Sequence, residues 1–222
     1  MNNIGEGAVS LTGNRSFCFS KHLLPIYCPD IYAHSPAPPP HVPFKIAYSG
    51  MPGAYAHVAS ALLFPGAMRI ACASFAEAYH AVETGTADAC VLPLRNNTAG
   101  EVTDVTRLLR RGTLTCRTRF MLPIHHRLLM LPGADPAKIT RVASHPQALA
   151  QCASFLQSRG LAPIPYFNTA AAAEWLTETK DPTIAAIASD EAAALYHLTI
   201  AEKHISIRQD NRTLFAVLMR RT

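Results

Sequence analysis

From Phe44 onward, short apolar runs alternate with longer segments in which apolar residues return every three or four positions. The short runs are the mark of buried strands, and the longer spacing is the mark of helices packed on one face. Residues 44–49, 68–73, 88–93, 141–144, 164–167 and 184–188 read as strands. Residues 54–63, 75–84, 101–111, 147–157, 170–177 and 190–196 read as helices, the last capped by Asp190. In the second helix Phe75, Ala78, Tyr79 and Val82 share a face, and Gly85 ends it. In the third, Val102, Val105, Leu108 and Leu109 point inward. Residues 114–131 are expected to form two strands about Pro123, Asp135-Pro136 opens a single helical turn, and 204–207 and 214–219 are the last strands.

Repeated strand–helix alternation predicts an α/β sheet covered by helices. There are more strands than one small sheet needs, which predicts two lobes with a cleft between them. The expected division is 44–94 plus 208–222 for one lobe and 95–207 for the other. Residues 1–43 break the pattern. The run from Ser35 to Pro43 is rich in proline and reads as an extended linker, preceded by an arm whose apolar residues lie between Phe17 and Tyr32. No internal repeat is visible.

Polar side chains collect where strands are expected to hand over to helices. Four such turns stand out: 50–57, 95–98, 144–147 and 168–169. In the second, the apolar run through Pro93 stops at Arg95, Asn96 and Asn97, and Asn97 or Thr98 is expected to cap the helix that follows. A helix N-terminus presents free N–H groups, so several of them around one cleft predict a site for a small anion. A fifth polar knot, 209–213, precedes the final strand.

Composition narrows the chemistry. The chain has 222 residues, 49% of them hydrophobic, enough for substantial cores, and a formal net charge of +5. The basic residues are scattered except for Arg107, Arg110 and Arg111, with no aromatic interleaving, so a small anionic ligand is expected and nucleic acid is not. The six cysteines, at 18, 28, 72, 90, 116 and 152, form no C-x-x-C pair and no zinc-spaced cluster. They read as reduced thiols of a cytoplasmic protein, with no metal. No apolar run approaches the roughly 18 residues of a membrane span, and no secretory leader is evident. There is no Gly-x-Gly-x-x-Gly, Walker loop or Gly-x-Ser-x-Gly. His125 and His126 are adjacent on an expected strand and so point to opposite faces, which argues against a shared metal. His57 and His145 sit at helix starts.

Taken together, residues 45–218 resemble the catalytic domain of prephenate dehydratases. The resemblance rests on Gly50-Met-Pro-Gly-Ala-Tyr55, on the helix and turn from Phe75 to Asp88, and on Pro93-Leu-Arg-Asn-Asn-Thr-Ala-Gly100. It continues through the stretch from Ser144 to Cys152, Thr169-Ala170, the strand from Ala185 to Ser189, and Asn211-Arg-Thr-Leu-Phe215. It implies a two-lobed α/β domain like a type II periplasmic binding protein, with substrate in the interlobe cleft, a homodimeric assembly, and conversion of prephenate to phenylpyruvate without a cofactor. It implies Thr213 as the residue that helps the ring hydroxyl leave, with Asn96 beside it. Asn97, Thr98, Ser144, His145, Gln147, Thr169, Asn211, Tyr55 and Phe215 are expected to line the substrate, and Arg95 to clamp a carboxylate.

Three positions depart from the family pattern. Arg95 stands for a glutamate, Asn97 for a serine and Leu214 for an arginine. The chain also ends without the phenylalanine-binding ACT domain that usually follows, which predicts no feedback control of that kind, and no chorismate mutase helices precede it. Two alternatives therefore accompany the dehydratase reading. One is a diverged lyase acting on a related cyclic acid or thioester, of the non-aromatising or tropodithietic acid type. The other is a non-catalytic module that binds small carboxylates.

Overall fold

A computed structural model describes residues 43–221; apart from Pro43, the proline-rich arm lies outside the described residues. In the first lobe, β1 (Lys45–Ser49), β2 (Met68–Cys72) and β3 (Ala89–Asn96) run parallel. They are linked through α1 (Tyr55–Leu63) and α2 (Phe75–Glu83). A short β4 (Gly100–Glu101) turns back on β3, and α3 (Thr103–Arg110) leads to β5 (Leu114–Pro123). The final strand, β11 (Arg212–Arg220), is antiparallel to both β3 and β5 and fills the gap between them. The sheet order is β2-β1-β3-β11-β5.

The second lobe repeats the plan. β6 (Arg127–Met130), β7 (Arg141–Ser144), β8 (Ala162–Pro165), β9 (Ile184–Ala188) and β10 (Thr199–Glu202) stand in the order β10-β6-β9-β7-β8. Their helices are α4 (Pro146–Gln151), α5 (Ala153–Ser158), α6 (Thr169–Thr179) and α7 (Asp190–Leu195).

Strand alternation divides each lobe into two cores. In the first lobe Ile46, Tyr48, Phe215 and Val217 pack under α1, while Ala47, Leu92, Ala216 and Leu218 meet Tyr79, Val82 and Val105 of α2 and α3. In the second, Leu128, Val142, Ala185 and Ile187 meet Leu149 and Leu156, while Leu129, Ala143 and Ala186 meet Ala172 and Leu176.

Five expectations need correction. Residues 95–123 belong to the first lobe, because β11 seats between β3 and β5 and because Val105, Leu108 and Leu114 complete that lobe's core. The lobes are therefore joined by 124–126 and 203–211. The segment 95–98 is not a strand-to-helix turn: β3 runs on to Asn96 and forms a hairpin with β4, and α3 starts later, behind Val102, with no side-chain cap from Asn97 or Thr98. The helix expected over 147–157 breaks at Cys152, whose φ of −111° and ψ of 10° leave the helical range. Ser189, not Asp190, caps α7, freeing the Asp190 carboxylate to take both oxygens to Arg127 Nε at 2.9 and 3.0 Å. The strand expected at 204–207 lies earlier, at β10, since the chain must leave the second lobe to reach β11.

The lobes touch through the turn after β1. Ser189 Oγ donates to the Gly53 carbonyl (3.0 Å) and Tyr196 Oη to the Pro52 carbonyl (3.0 Å). A Cβ on Gly53, where φ is +86°, would lie 3.2 Å from both Cα and Cβ of Ala192. Glycine here permits both the left-handed backbone and the close approach.

Candidate active site

Helices α1, α4, α6 and α7 each begin just beyond the carboxyl end of a parallel strand, the end at which open α/β sheets bind ligands. Between the lobes the two crossovers lie side by side, with Ile124 N–H donating to the Asn211 carbonyl at 2.8 Å. The hairpin at 96–100, the crossovers and α4 bring Asn96, Thr98, Gln151, Asn211 and Thr213 into one hydrogen-bonded cluster, although they are up to 117 residues apart in sequence.

Asn96 is its anchor. Its Oδ1 accepts from the backbone N–H of Thr98 (2.9 Å) and Ala99 (3.0 Å) and from the Thr98 hydroxyl (2.5 Å). Its Nδ2 donates to Asn211 Oδ1 (2.8 Å) and Thr213 Oγ1 (2.9 Å), with the Arg212 carbonyl at 3.1 Å. Both ends of the amide are committed, so Asn96 positions Thr213 and has nothing left for a substrate; its expected catalytic role is corrected to that extent. Thr213 is buried and pairs directly with Asn96 across β3 and β11. Its Oγ1 accepts from Asn96, which leaves its own hydrogen without an acceptor among the described residues.

Asn211 and Gln151 continue the cluster. Asn211 Nδ2 donates to Gln151 Oε1 (3.0 Å), and Gln151 Nε2 donates to Thr98 Oγ1 (2.6 Å). Gln151 Oε1 also lies 2.7 Å from His126 Nε2, and His126 Nδ1 lies 3.1 Å from Tyr55 Oη, which is itself 2.8 Å from the His125 carbonyl. Burial pulls the His126 imidazole below its usual value, partly offset by the bond to Gln151. Burial pushes the Tyr55 phenol well up, and the nearby Glu191 and Asp190 push it further. Both groups are accordingly neutral near pH 7.

Other expected ligands lie elsewhere or are already engaged. Arg95 is exposed. It stands one residue from Asn96 on β3, hence on the opposite strand face, with Glu101 and Leu214 as its cross-strand neighbours. It is no carboxylate clamp for this cluster. Asn97 is exposed and ties the hairpin to the crossover, donating to the Asp210 carbonyl (2.7 Å) and accepting from Arg212 N–H (2.8 Å). Ser144 is buried and donates to the Ile187 carbonyl (2.6 Å), locking β7 to β9. Phe215 is buried under α1, two residues along β11 from Thr213, and belongs to the core. Gln147 is exposed, and its N–H donates to Nδ1 of His145, the cap of α4. Burial lowers the His145 pKa, which keeps Nδ1 an acceptor. Thr169 begins α6 behind its cap Asn168, whose Oδ1 accepts from Ala170 N–H at 2.7 Å. Asn168 Nδ2 faces Gly50 of the other lobe, 3.2 Å from where a Cβ would stand.

Sequence reading missed Gln151 and His126. Gln151 sits one turn after Gln147, inside a stretch already singled out. His126 was set aside because its neighbour points the other way; the useful signal was its place in a crossover.

The arrangement offers neutral donors, a hydroxyl hydrogen held ready, and no carboxylate among the cluster's side chains. Such a site tolerates an anionic ligand and supplies a hydrogen bond to a leaving oxygen. A family model for prephenate dehydratase matches residues 46–222. The chain belongs to the prephenate dehydratase family. It is 41% identical over 188 residues to arogenate dehydratase/prephenate dehydratase 6 of Arabidopsis thaliana, covering 84% of this chain and 46% of that protein. It thus spans about half the length of the curated relatives it matches. The crystal structure of a prephenate dehydratase from Arthrobacter aurescens in complex with L-Phe superposes with a TM-score of 0.75 at 27% identity, covering 80% of this chain and 61% of that one. A structure described as GqqA, a novel type of quorum quenching acylase, superposes with a TM-score of 0.74 at 34% identity, covering 80% and 64%. These likenesses establish the two-sheet α/β fold. Among the described residues, no helix is long and apolar enough to cross a membrane.

Proposed function

We propose that the cleft catalyses decarboxylative dehydration of prephenate to phenylpyruvate. The observation that carries this reading is the Thr213 hydroxyl, oriented by Asn96 through a 2.9 Å bond and keeping its hydrogen for a ligand. In the reaction the ring–carboxylate bond breaks and leaves as carbon dioxide. Its electron pair enters the ring as the ring C–O bond breaks, and the departing hydroxyl takes one proton to become water. Thr213 Oγ1 donates to that oxygen, and the proton is replaced from solvent. No redox partner is needed, and aromatisation drives the step. The departures at 95 and 214 agree with this reading, since they face each other across β3 and β11 on the side away from Asn96 and Thr213.

The test is turnover of prephenate by the purified chain, following phenylpyruvate absorbance and carbon dioxide together, with arogenate offered in parallel. Equal amounts of both products from prephenate support the reading. Carbon dioxide without phenylpyruvate identifies a non-aromatising decarboxylase, turnover of arogenate alone moves the substrate to the amino acid, and binding without products identifies a carboxylate-binding module; each of these overturns it.

A further inference from the structure

The orientation of one backbone turn dictates the tautomer of a histidine in the crossover. Asn96 Oδ1 is held as an acceptor by two backbone N–H groups, so its Nδ2 faces Asn211 and Asn211 Oδ1 must accept. Asn211 Nδ2 then donates to Gln151, which presents Oε1 to it and therefore also to His126 Nε2 at 2.7 Å. A carbonyl oxygen at that distance requires a hydrogen on Nε2. In the neutral ring Nδ1 is then a lone pair facing Tyr55 Oη at 3.1 Å, and the single Tyr55 hydrogen is shared between it and the His125 carbonyl at 2.8 Å.

This ring stands where the lobes meet. Tyr55 opens α1 of the first lobe, Gln151 ends α4 of the second, and His126 lies on the chain between them, almost wholly buried. Gln151 in turn holds Thr98, whose hydroxyl and N–H both engage Asn96, the residue that aims Thr213. We propose that His126 is a positioning residue: donating from Nε2 to Gln151 and facing with Nδ1 the Tyr55 hydroxyl that the His125 carbonyl also holds, it clasps α4 to the first lobe and so fixes the second lobe's distance from the Thr213 hydroxyl. It touches no reacting atom. Without the donor, Gln151 Oε1 keeps Asn211 alone, and α4 loses its tie to α1.

The catalytic part of the test rests on the dehydratase reading; the spectroscopic part does not. In the full chain, imidazole nitrogen chemical shifts of His126 at pH 7.5 should report the Nε2–H tautomer. An Nδ1–H tautomer, or a ring averaging between the two, overturns the proposal whether or not prephenate is a substrate. On prephenate, His126→Leu should lower kcat by roughly 30-fold or more with KM changed by less than about threefold, a misplacement effect. His126→Gln carries an amide N–H at the position of Nε2 and should recover kcat to within about threefold of the parent. Tyr55→Phe, which removes the hydrogen shared by His126 Nδ1 and the His125 carbonyl, should lower kcat in the same direction and lower Tm as a lost buried hydrogen bond does, and an unchanged kcat overturns the Tyr55 part of the clasp. Unchanged kcat in His126→Leu overturns the proposal, as does an equal loss in His126→Leu and His126→Gln, because the Nε2 donor would then not be what matters.

Discussion

Arg95 and Leu214 are the two substitutions that most set this chain apart from its family's motifs, and the structure makes a quantitative statement about undoing them. The two residues are directly opposed across β3 and β11, and Arg95 is also opposed to Glu101 on β4. Leu214→Arg places a second guanidinium opposite Arg95. Arg95→Glu places a second carboxylate opposite Glu101. At the roughly 5 Å of a cross-strand pair, like charges in water-like screening repel by about 332/(80 × 5), or ~0.8 kcal/mol. Leu214→Arg should therefore lose up to about 1 kcal/mol, a fall in Tm of about 2–4 °C for a chain of this size, and Arg95→Glu, which also forfeits the attraction of Arg95 to Glu101, up to about twice that. The double variant sets a carboxylate at position 95 against a guanidinium at position 214 and should regain part of that loss. Activity should barely respond, because neither side chain shares a strand face with Asn96 or Thr213; turnover of prephenate should stay within about threefold in all three variants. The measurement is a double-mutant cycle in Tm run beside phenylpyruvate assays. A double variant at least about tenfold faster than the parent would refute the placement of Arg95 outside the site and would make the charge at 95 a determinant of the reaction.

Thr213→Val should cut turnover by about 10²–10⁴-fold, the range for losing a positioned proton donor, while stability changes by about 1 kcal/mol, the worth of one hydrogen bond; Thr213→Ser should keep most activity, and an active valine variant rules out the hydroxyl. Gly53→Ala should cost about 1–2 kcal/mol for its left-handed backbone and about 1–3 kcal/mol for overlap with Ala192, and because parting the lobes relieves the overlap, KM should rise; an alanine variant with parental KM and Tm contradicts that contact. His57, His125, His126 and His145 are all held below the usual histidine value, chiefly by burial. In the window just under about pH 6.5 the unfolded chain takes up protons that the folded chain refuses, so stability is full above that value and falls as pH drops. Tm should be level above about pH 7 and decline below it, less steeply in His126→Gln, and a Tm that climbs on acidification through this window contradicts the buried, neutral histidines.

Legibility followed the range of the interactions. The parallel strands and most helices were readable because each buries a face that local periodicity records: Ile46 and Tyr48 against Ala47 on β1, and Ala78, Tyr79 and Val82 on α2. The N-caps at Asn168 and Asp135 bond residues two and three positions ahead, so they too are written locally. The hairpin at 96–100 was mistaken for a helix start because capping residues and turn residues are the same types; what decided the outcome was Asn96 pairing with Thr213 from the far end of the chain. The lobe boundary failed for a related reason. β11 returns to lie between β3 and β5, which keeps 95–123 in the first lobe, and no local pattern reveals which strands a later one will join.

The same division holds for the site. The sequence by itself determined the α/β class, the family and the candidate residue types, since those depend on periodicity and on motifs of a few adjacent positions. Only the tertiary structure decided which of those residues act together. It spent Ser144 on Ile187, turned Arg95 to solvent, and buried Phe215 in the core. It also recruited Gln151 and His126 to a cluster with Asn96, Asn211 and Thr213. A hydrogen bond needs its partners within about 3 Å and correctly aimed. For Asn96 and Thr213 that condition is met because β11 returns to pair with β3, and for Gln151 because the crossovers bring the second lobe to the same place.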